Sequence, residues 1–464
     1  MTNHRAFVRR SSWKQLLVAG LIPATLILAA CGDDGDDAVD ATSPSGAGAQ
    51  VTTTTGMMEA TPSTGMGEAS PSMDHSMMTP TTGTGMTDAS PTMGDGMAMV
   101  TSDTGAAALR TGLTLLLQEH VYLAGSATGA AIGGRTEEFE AAAATLDENS
   151  IALSEAIGSV YGDDAEMAFL ELWRTHIGFF VDYTNGVATG DQAAADEALA
   201  NLDGYRTDFG AFIASANPNL PAEAVAEELG PHVETLTAAI DAQVAEDPAA
   251  FDLLKEAANH MPMTAAVLAG GIVTQFPDQF DGTADAPAAE LRAGLNALLQ
   301  EHAYLAGFAT DAALNERPDQ FEAAAATLDT NSVELSEAIG SVYGPEAAEA
   351  FLPLWRAHIG FFVDYTTGVA TDDTAAQDEA VENLMGYTQD FAAFLNSANG
   401  LPTETVAALL EEHVLALKDA VDAQETGDPV AAWTALREAA GHMQMIADPL
   451  TEATVQTFPD AFAQ

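Results

Sequence analysis

From residue 107 onward, apolar positions recur at spacings of three and four, and over no useful length do they alternate with period two. The pattern predicts six helices, near 108–131, 137–160, 164–188, 191–215, 222–245 and 248–275. They are rich in Ala, Leu and Glu and are separated by breaks such as Tyr161-Gly162 and Asn217-Pro218. The connections are short, which places successive helices antiparallel, so the expected fold is all-α, an antiparallel bundle of about six helices. The whole pattern then recurs 182 residues later. LRTGLTLLLQEHVYLAG at 109–125 returns as LRAGLNALLQEHAYLAG at 291–307, and LWRTHIGFFVDY at 172–183 returns as LWRAHIGFFVDY at 354–365. Each copy closes alike, at Gln275-Phe276-Pro277-Asp278 and Thr457-Phe458-Pro459-Asp460. Two tandem domains follow, at 107–283 and 289–464, joined through Asp285-Ala286-Pro287.

Polar residues interrupt the apolar seams at one level. In the first helix the seam runs Leu109, Leu113, Leu116, His120, Leu123, Ala127, so His120 occupies a core position near mid-helix. His176 sits likewise between Trp173 and Phe180, His232 between Leu229 and Leu236, and His260 between Ala257 and Thr264. In an up-and-down bundle, mid-helix positions share one layer whichever way each helix runs, so the four imidazoles are expected to converge. Asn149 and Tyr205 occupy the middle of the other two helices. The second copy supplies His302, Asn331, His358, Tyr387, His413 and His442.

The chain before the first domain is of another kind. Arg5, Arg9, Arg10 and Lys14 precede an apolar run from Leu16 to Ala30, the layout of a secretory signal. The run ends in Leu28-Ala29-Ala30-Cys31, which resembles the lipobox of bacterial lipoproteins. That resemblance implies cleavage of residues 1–30, acylation of Cys31, and an extracytoplasmic protein held to the membrane by its lipid. Arg9-Arg10 with Lys14 loosely resembles a twin-arginine signal, although Ser12 stands where an apolar residue is usual. Cys31 is the only cysteine, so a lipidated chain has no thiol left for a disulfide and depends on helix packing. Residues 31–106 form a stalk of Thr, Ser, Gly, Pro and Met, too poor in apolar residues to offset ordering entropy and therefore expected to be disordered. Asp and Glu outnumber Lys and Arg by 69 to 14, which makes nucleic acid and anionic lipid headgroups unsuitable partners.

Four inward imidazoles in one layer need partners, because an unpaired buried polar group costs roughly 1–3 kcal/mol. Neutral imidazole ligates copper, zinc, iron or nickel, and four on separate helices would make a tetrahedral cage. Glu119, Asp182 and Asp241, with Glu301, Asp364 and Asp422, are candidate acceptors for the ring N–H groups, beside Asn149, Tyr205, Asn331 and Tyr387. Alternatively, those same groups satisfy the histidines individually as a polar network that fixes helix register. The sixth helix carries His260-Met261-Pro262-Met263, and its repeat carries His442-Met443-Gln444-Met445. Imidazole with thioether is a soft donor set that favours Cu(I), with Met263 and Met445 the expected partners of His260 and His442. Core filling is the other role open to these methionines. The stalk holds Met73-Asp74-His75-Ser76-Met77-Met78, and Met73, His75, Met77 and Met78 resemble the copper-collecting tails of periplasmic copper-handling proteins.

The repeat, through LLQEHVYLA, WRTHIGFFVDY and QFPDQF, resembles an uncharacterised, often tandem, helical domain of bacterial surface proteins. That resemblance implies fold and location only. A copper amine oxidase activity, sometimes attached to such proteins, is not supported, since no Asn-Tyr pair is present to form its quinone and no His-x-His pair. Glu119 and His120 are adjacent, without the Glu-x-x-His spacing of di-iron bundles. There is no Cys-x-x-Cys-His for covalent haem and no phosphate-cradling loop, although a bis-histidine b-type haem remains compatible with the spacing. The leading expectation is a non-enzymatic envelope lipoprotein that captures or buffers copper and yields it to a transfer partner. The competing expectations are a structural or interaction module, and a haem or metal redox protein.

Overall fold

The computed structural model describes residues 100–463, which form one unit. Cys31 and the stalk residues Met73, His75, Met77 and Met78 lie outside the described residues. The first copy comprises α1 (Gly105–Ile132), α2 (Thr136–Tyr161), α3 (Asp163–Thr189), α4 (Gln192–Ala216), α5 (Ala222–Val244), α6 (Ala250–Asn259) and α7 (Met261–Gln275). The second comprises α8 (Pro287–Leu314), α9 (Pro318–Tyr343), α10 (Pro345–Ala370), α11 (Thr374–Asn399), α12 (Thr403–Thr426) and α13 (Pro429–Thr457), closed by the short α14 (Pro459–Phe462). No strand occurs among the described residues, and none of their helices is long and apolar enough to cross a membrane.

The punctuation is chemical. Thr104 caps α1 by accepting from the Ala107 N–H (3.1 Å), and Asp191 and Asp428 cap α4 and α13 in the same way. Gly162 turns the chain between α2 and α3 at φ 88° and ψ 171°, a region open only to glycine, and Gly344 repeats this at φ 94°. The expected sixth helix is a single element only in the second copy. In the first it divides at His260, because Pro262 has no N–H for the ladder and its ring clashes with the carbonyl four residues back. Gln444 stands at that place in α13, which runs through. Pro449 lies inside α13 and does not divide it.

Within each copy every helix packs on the next, and the first helix is the hub. Helix α1 touches α2, α3, α5, α6 and α7, and on its remaining side meets α8, the hub of the other copy. It is consequently buried around most of its circumference, polar Thr111, Thr114, Gln118, Glu119 and His120 included. Gly125 allows α6 to close in, since a Cβ there would come within 2.3 Å of Leu254. One hydrophobic cluster runs through both copies.

Where the hubs meet, the polar groups are exchanged. Tyr122 and Tyr304 stack with centroids 5.3 Å apart, the Tyr122 hydroxyl donates to Glu301 (2.8 Å), and the Tyr304 hydroxyl donates to Glu119 (2.9 Å). Asn149 donates to Glu119 (2.7 Å) and Asn331 to Glu301 (2.8 Å). A cation from the far copy completes each set: Arg437 reaches Glu119 at 2.9 Å and Lys255 reaches Glu301 at 3.4 Å. The chain before α1 adds a strap, with Thr101 and Ser102 donating to Glu452 and Arg292 donating to the Ser102 carbonyl.

Burial pushes the Glu301 carboxyl up, and Lys255 is the main group opposing that shift. Replacing Lys255 by Met should therefore lower the free energy of unfolding by about 3 kcal/mol, since a buried carboxylate loses its counter-charge. Adding Glu301→Gln should recover most of the loss. Urea unfolding of the two variants measures both, and equal stability of Lys255→Met and the unmodified chain would refute the role given to this pair.

Candidate metal centre

Three helices of each copy deliver one histidine to a common point. His120 comes from α1, His176 from α3 and His232 from α5, each replacing an aliphatic residue in a core seam, and each is at most 6% exposed. His120 Nε2 and His176 Nε2 are 3.4 Å apart, and one ligand nitrogen from each of the three rings lies within 4.8 Å of the others. Two nitrogens bound to one tetrahedral ion at about 2.05 Å stand about 3.3 Å apart. His120 and His176 are already at that separation, and a His232 nitrogen stands within 4.8 Å of both. The group could hold a metal ion. The second copy repeats the ring separations, with centroids 5.3 and 6.2 Å apart for His120–His176 and His120–His232 against 5.2 and 6.2 Å for His302–His358 and His302–His413, while among the described residues the first copy's triad is the one whose nitrogens all gather within 4.8 Å.

The surroundings are apolar and aromatic. Trp173 lies against both His120 and His176, with centroids at 4.8 and 4.5 Å, and Tyr205 stacks on His176 at 4.7 Å. Trp355 and Tyr387 repeat these contacts. Burial lowers His120 to about 3, with repulsion from His232 adding to the shift, and lowers His232 to about 4, with repulsion from His260 adding. His302 and His413 fall to about 3, and His176 and His358 lie well below the usual range, again chiefly through burial. All six are neutral at pH 7, the form in which imidazole ligates a metal. His120 Nδ1, His232 Nδ1, His302 Nδ1 and both nitrogens of His413 have no hydrogen-bond partner. The unpartnered atoms are mainly Nδ1, so an ion held between the facing Nε2 atoms would leave them to be satisfied by other groups.

Several expected participants stand elsewhere. His260 is half-buried at the junction of α6 and α7, and His442 is held at the edge, Nε2 against the Leu409 carbonyl at 3.0 Å and Nδ1 3.8 Å from Glu412. Each copy thus offers a triad where a four-histidine cage is expected. Met263 and Met445 are 52% and 59% exposed, while Met261 and Met443, at 2% and 1%, point inward. One residue on a helix is a rotation of about 100°, and the seam passes through the first methionine of each frame, not the second. Glu119 and Glu301 serve the interface between copies, together with Asn149 and Asn331, and do not touch the histidines. Asp182 and Asp364 are exposed. Asp241 and Asp422 accept from the Tyr183 and Tyr365 hydroxyls at 2.8 and 2.6 Å. Of the expected supporting residues, Tyr205 and Tyr387 alone reach the histidine rings. Trp173 and Trp355 were not singled out as site residues, although Trp-x-x-His puts both rings on one helix face.

Space adjoins both triads. A cavity of about 30 Å³ borders His176, His232, Tyr205 and Met261, and its counterpart borders His358, His413, Tyr387 and Met443. In the second copy a larger cleft, about 280 Å³, runs alongside His302 and His358.

No family model, curated protein or solved structure matches the chain.

Acid should act on this layer with a definite sign. A histidine at about 6.5 when unfolded and about 3 when folded binds more protons in the unfolded chain, so its stabilisation is complete above 6.5 and is lost as the pH falls toward 3. Between pH 7 and pH 5 the loss for His120 is about 2 kcal/mol. Denaturant unfolding of the chelator-treated protein should therefore show the stability of His120→Gln falling less over that interval than that of the unmodified chain, by about this amount. Parallel pH dependences would contradict the buried, neutral state of His120.

Proposed function

We propose that the protein is a lipid-anchored envelope protein that binds and buffers a transition metal, copper before others, through one histidine triad in each helical repeat. The observation that carries this reading is the meeting of three neutral imidazoles from three helices, one nitrogen of each within 4.8 Å of the others, in an apolar and aromatic core. Buried Met261 and Met443 line the cavities beside the triads, and a thioether near imidazoles favours Cu(I) over zinc. Zinc and iron also accept three imidazoles and an open fourth position. A b-type haem fits less well, because the edges of His120 and His176 meet directly and leave no slot for a macrocycle between them. The Met-rich stalk, with Met73, His75, Met77 and Met78, would add a soft collecting segment, and the resemblance of Leu28-Ala29-Ala30-Cys31 to a lipobox supports an anchor on the outer side of the membrane. A separate partner would receive the metal.

One observation favours a second reading, a non-catalytic scaffold. His120 and His176, like His302 and His358, are close enough to share a proton between their Nε2 atoms, which is how a register-fixing polar pair would be built.

Elemental analysis after equal exposure to copper, zinc, iron and nickel separates the two. With Met73, His75, Met77 and Met78 replaced, about two copper ions per chain are expected to remain, and His120→Ala and His302→Ala should each remove one. Unchanged stoichiometry in the histidine variants would eliminate the triads as the sites. A metal-free protein whose melting temperature ignores copper and chelators would establish the scaffold reading.

A further inference from the structure

Each triad has a cavity of about 30 Å³ beside it, and the walls decide what that space accepts. Every side chain lining the first cavity is buried, and in the second all but Leu295 are. Trp173, His176, Tyr205 and His232 border the first, yet none turns a nitrogen or oxygen onto it, so the surface facing the space is apolar throughout. The second differs only by a trace of polar surface. A buried water needs two to four polar partners, which these walls do not offer. A cavity lined by Leu, Ile and Phe stays dry and takes up apolar guests such as benzene or xenon. One water requires roughly 10–15 Å³ of such space. About 30 Å³ is therefore room for a guest of about two or three heavy atoms, and too little for a ring.

The space is kept through a change in its own wall. Ile446 stands in the second cavity where Thr264 stands in the first, a larger and wholly apolar side chain, and the volume is still about 30 Å³. The rest of the frame is common to both: Leu113, Leu153, Phe169 and Met261 in the first copy are Leu295, Leu335, Phe351 and Met443 in the second. Protein interiors leave few voids larger than a water molecule. Two of equal size, at equivalent places and each against two histidines of a triad, point to a space that the fold retains.

We propose that these cavities are binding pockets for a small apolar gas molecule, dioxygen being the abundant one, held beside His176 and His232 in the first copy and His358 and His413 in the second. Such a guest is retained by dispersion contacts and by its exclusion from water, and it uses no hydrogen bond. The pockets need no metal and stand or fall separately from the copper reading.

The test uses the full chain, stripped of metal with chelator and labelled with carbon-13 in its methionine methyl groups. Met261 and Met443 line the two pockets, whereas Met263 and Met445 are exposed and serve as internal controls. Under xenon pressure the Met261 and Met443 signals should shift saturably while those of Met263 and Met445 do not. Dioxygen is paramagnetic, and under it the relaxation of the Met261 and Met443 methyls should rise at least twofold more than that of the exposed pair. Leu153→Phe together with Leu335→Phe, which fill the pockets, should abolish both effects in protein that circular dichroism shows to be folded. The unmodified chain decides occupancy even where those variants do not fold. Absence of a saturable xenon shift at Met261 and Met443, or a shift that survives the phenylalanines in folded protein, overturns the pockets. A xenon shift without the dioxygen enhancement overturns dioxygen as their occupant.

Discussion

A helix with neighbours on nearly every side has almost no solvated face, so whatever polar side chains it carries must be answered by protein. Helices α1 and α8 are in that position, and they also carry the two most polar consecutive residues of the core, Glu119-His120 and Glu301-His302. Neighbouring residues on a helix point about 100° apart. The pair therefore serves two interiors at once: the imidazole turns into its own bundle, and the carboxylate turns across to the other copy. Tyr122, Tyr304, Lys255 and Arg437 satisfy the carboxylates reciprocally. Neither repeat alone can complete this arrangement, since each glutamate takes its tyrosine and its cation from the far copy.

The two polar layers differ in how their titratable groups are satisfied. At the interface every carboxylate oxygen has a donor, as expected of groups whose task is to hold two bundles in register. In the histidine layer several nitrogens have none, and burial keeps the rings neutral. One fold has therefore satisfied its buried acids almost fully and its buried bases incompletely.

Much of this could be read from the chain. The spacing of three and four located the helices to within a residue or two at most ends. The inward setting of His120, His176 and His232 followed from the leucines and aromatics around them on the same seams. The errors arose where one residue of rotation decides the answer. Helical periodicity alone could not say that α1 would be buried on its Glu119 side too, because that depends on the second copy docking there. Asp241 and Asp422 were near enough in sequence to serve as acceptors, but Tyr183 and Tyr365 stand closer in space. Met261 and Met263 differ by some 200° around the axis, and with Pro262 between them the direction of the seam could not be fixed from spacing.

The duplication supplies its own controlled comparison. The sixth helix is divided at His260 in the first copy and continuous through His442 in the second, and Thr264 in one cavity is replaced by Ile446 in the other. Despite these changes the imidazole centroids of the two triads keep the same separations to 0.1 Å. The triad geometry is thus set by the first, third and fifth helices, whose packing around Trp173 and Trp355 is common to both copies, and is insensitive to the path of the sixth. A fourth ligand from the sixth helix would make the geometry sensitive to that path. Its insensitivity shows that the sixth helix does not set the positions of the three rings.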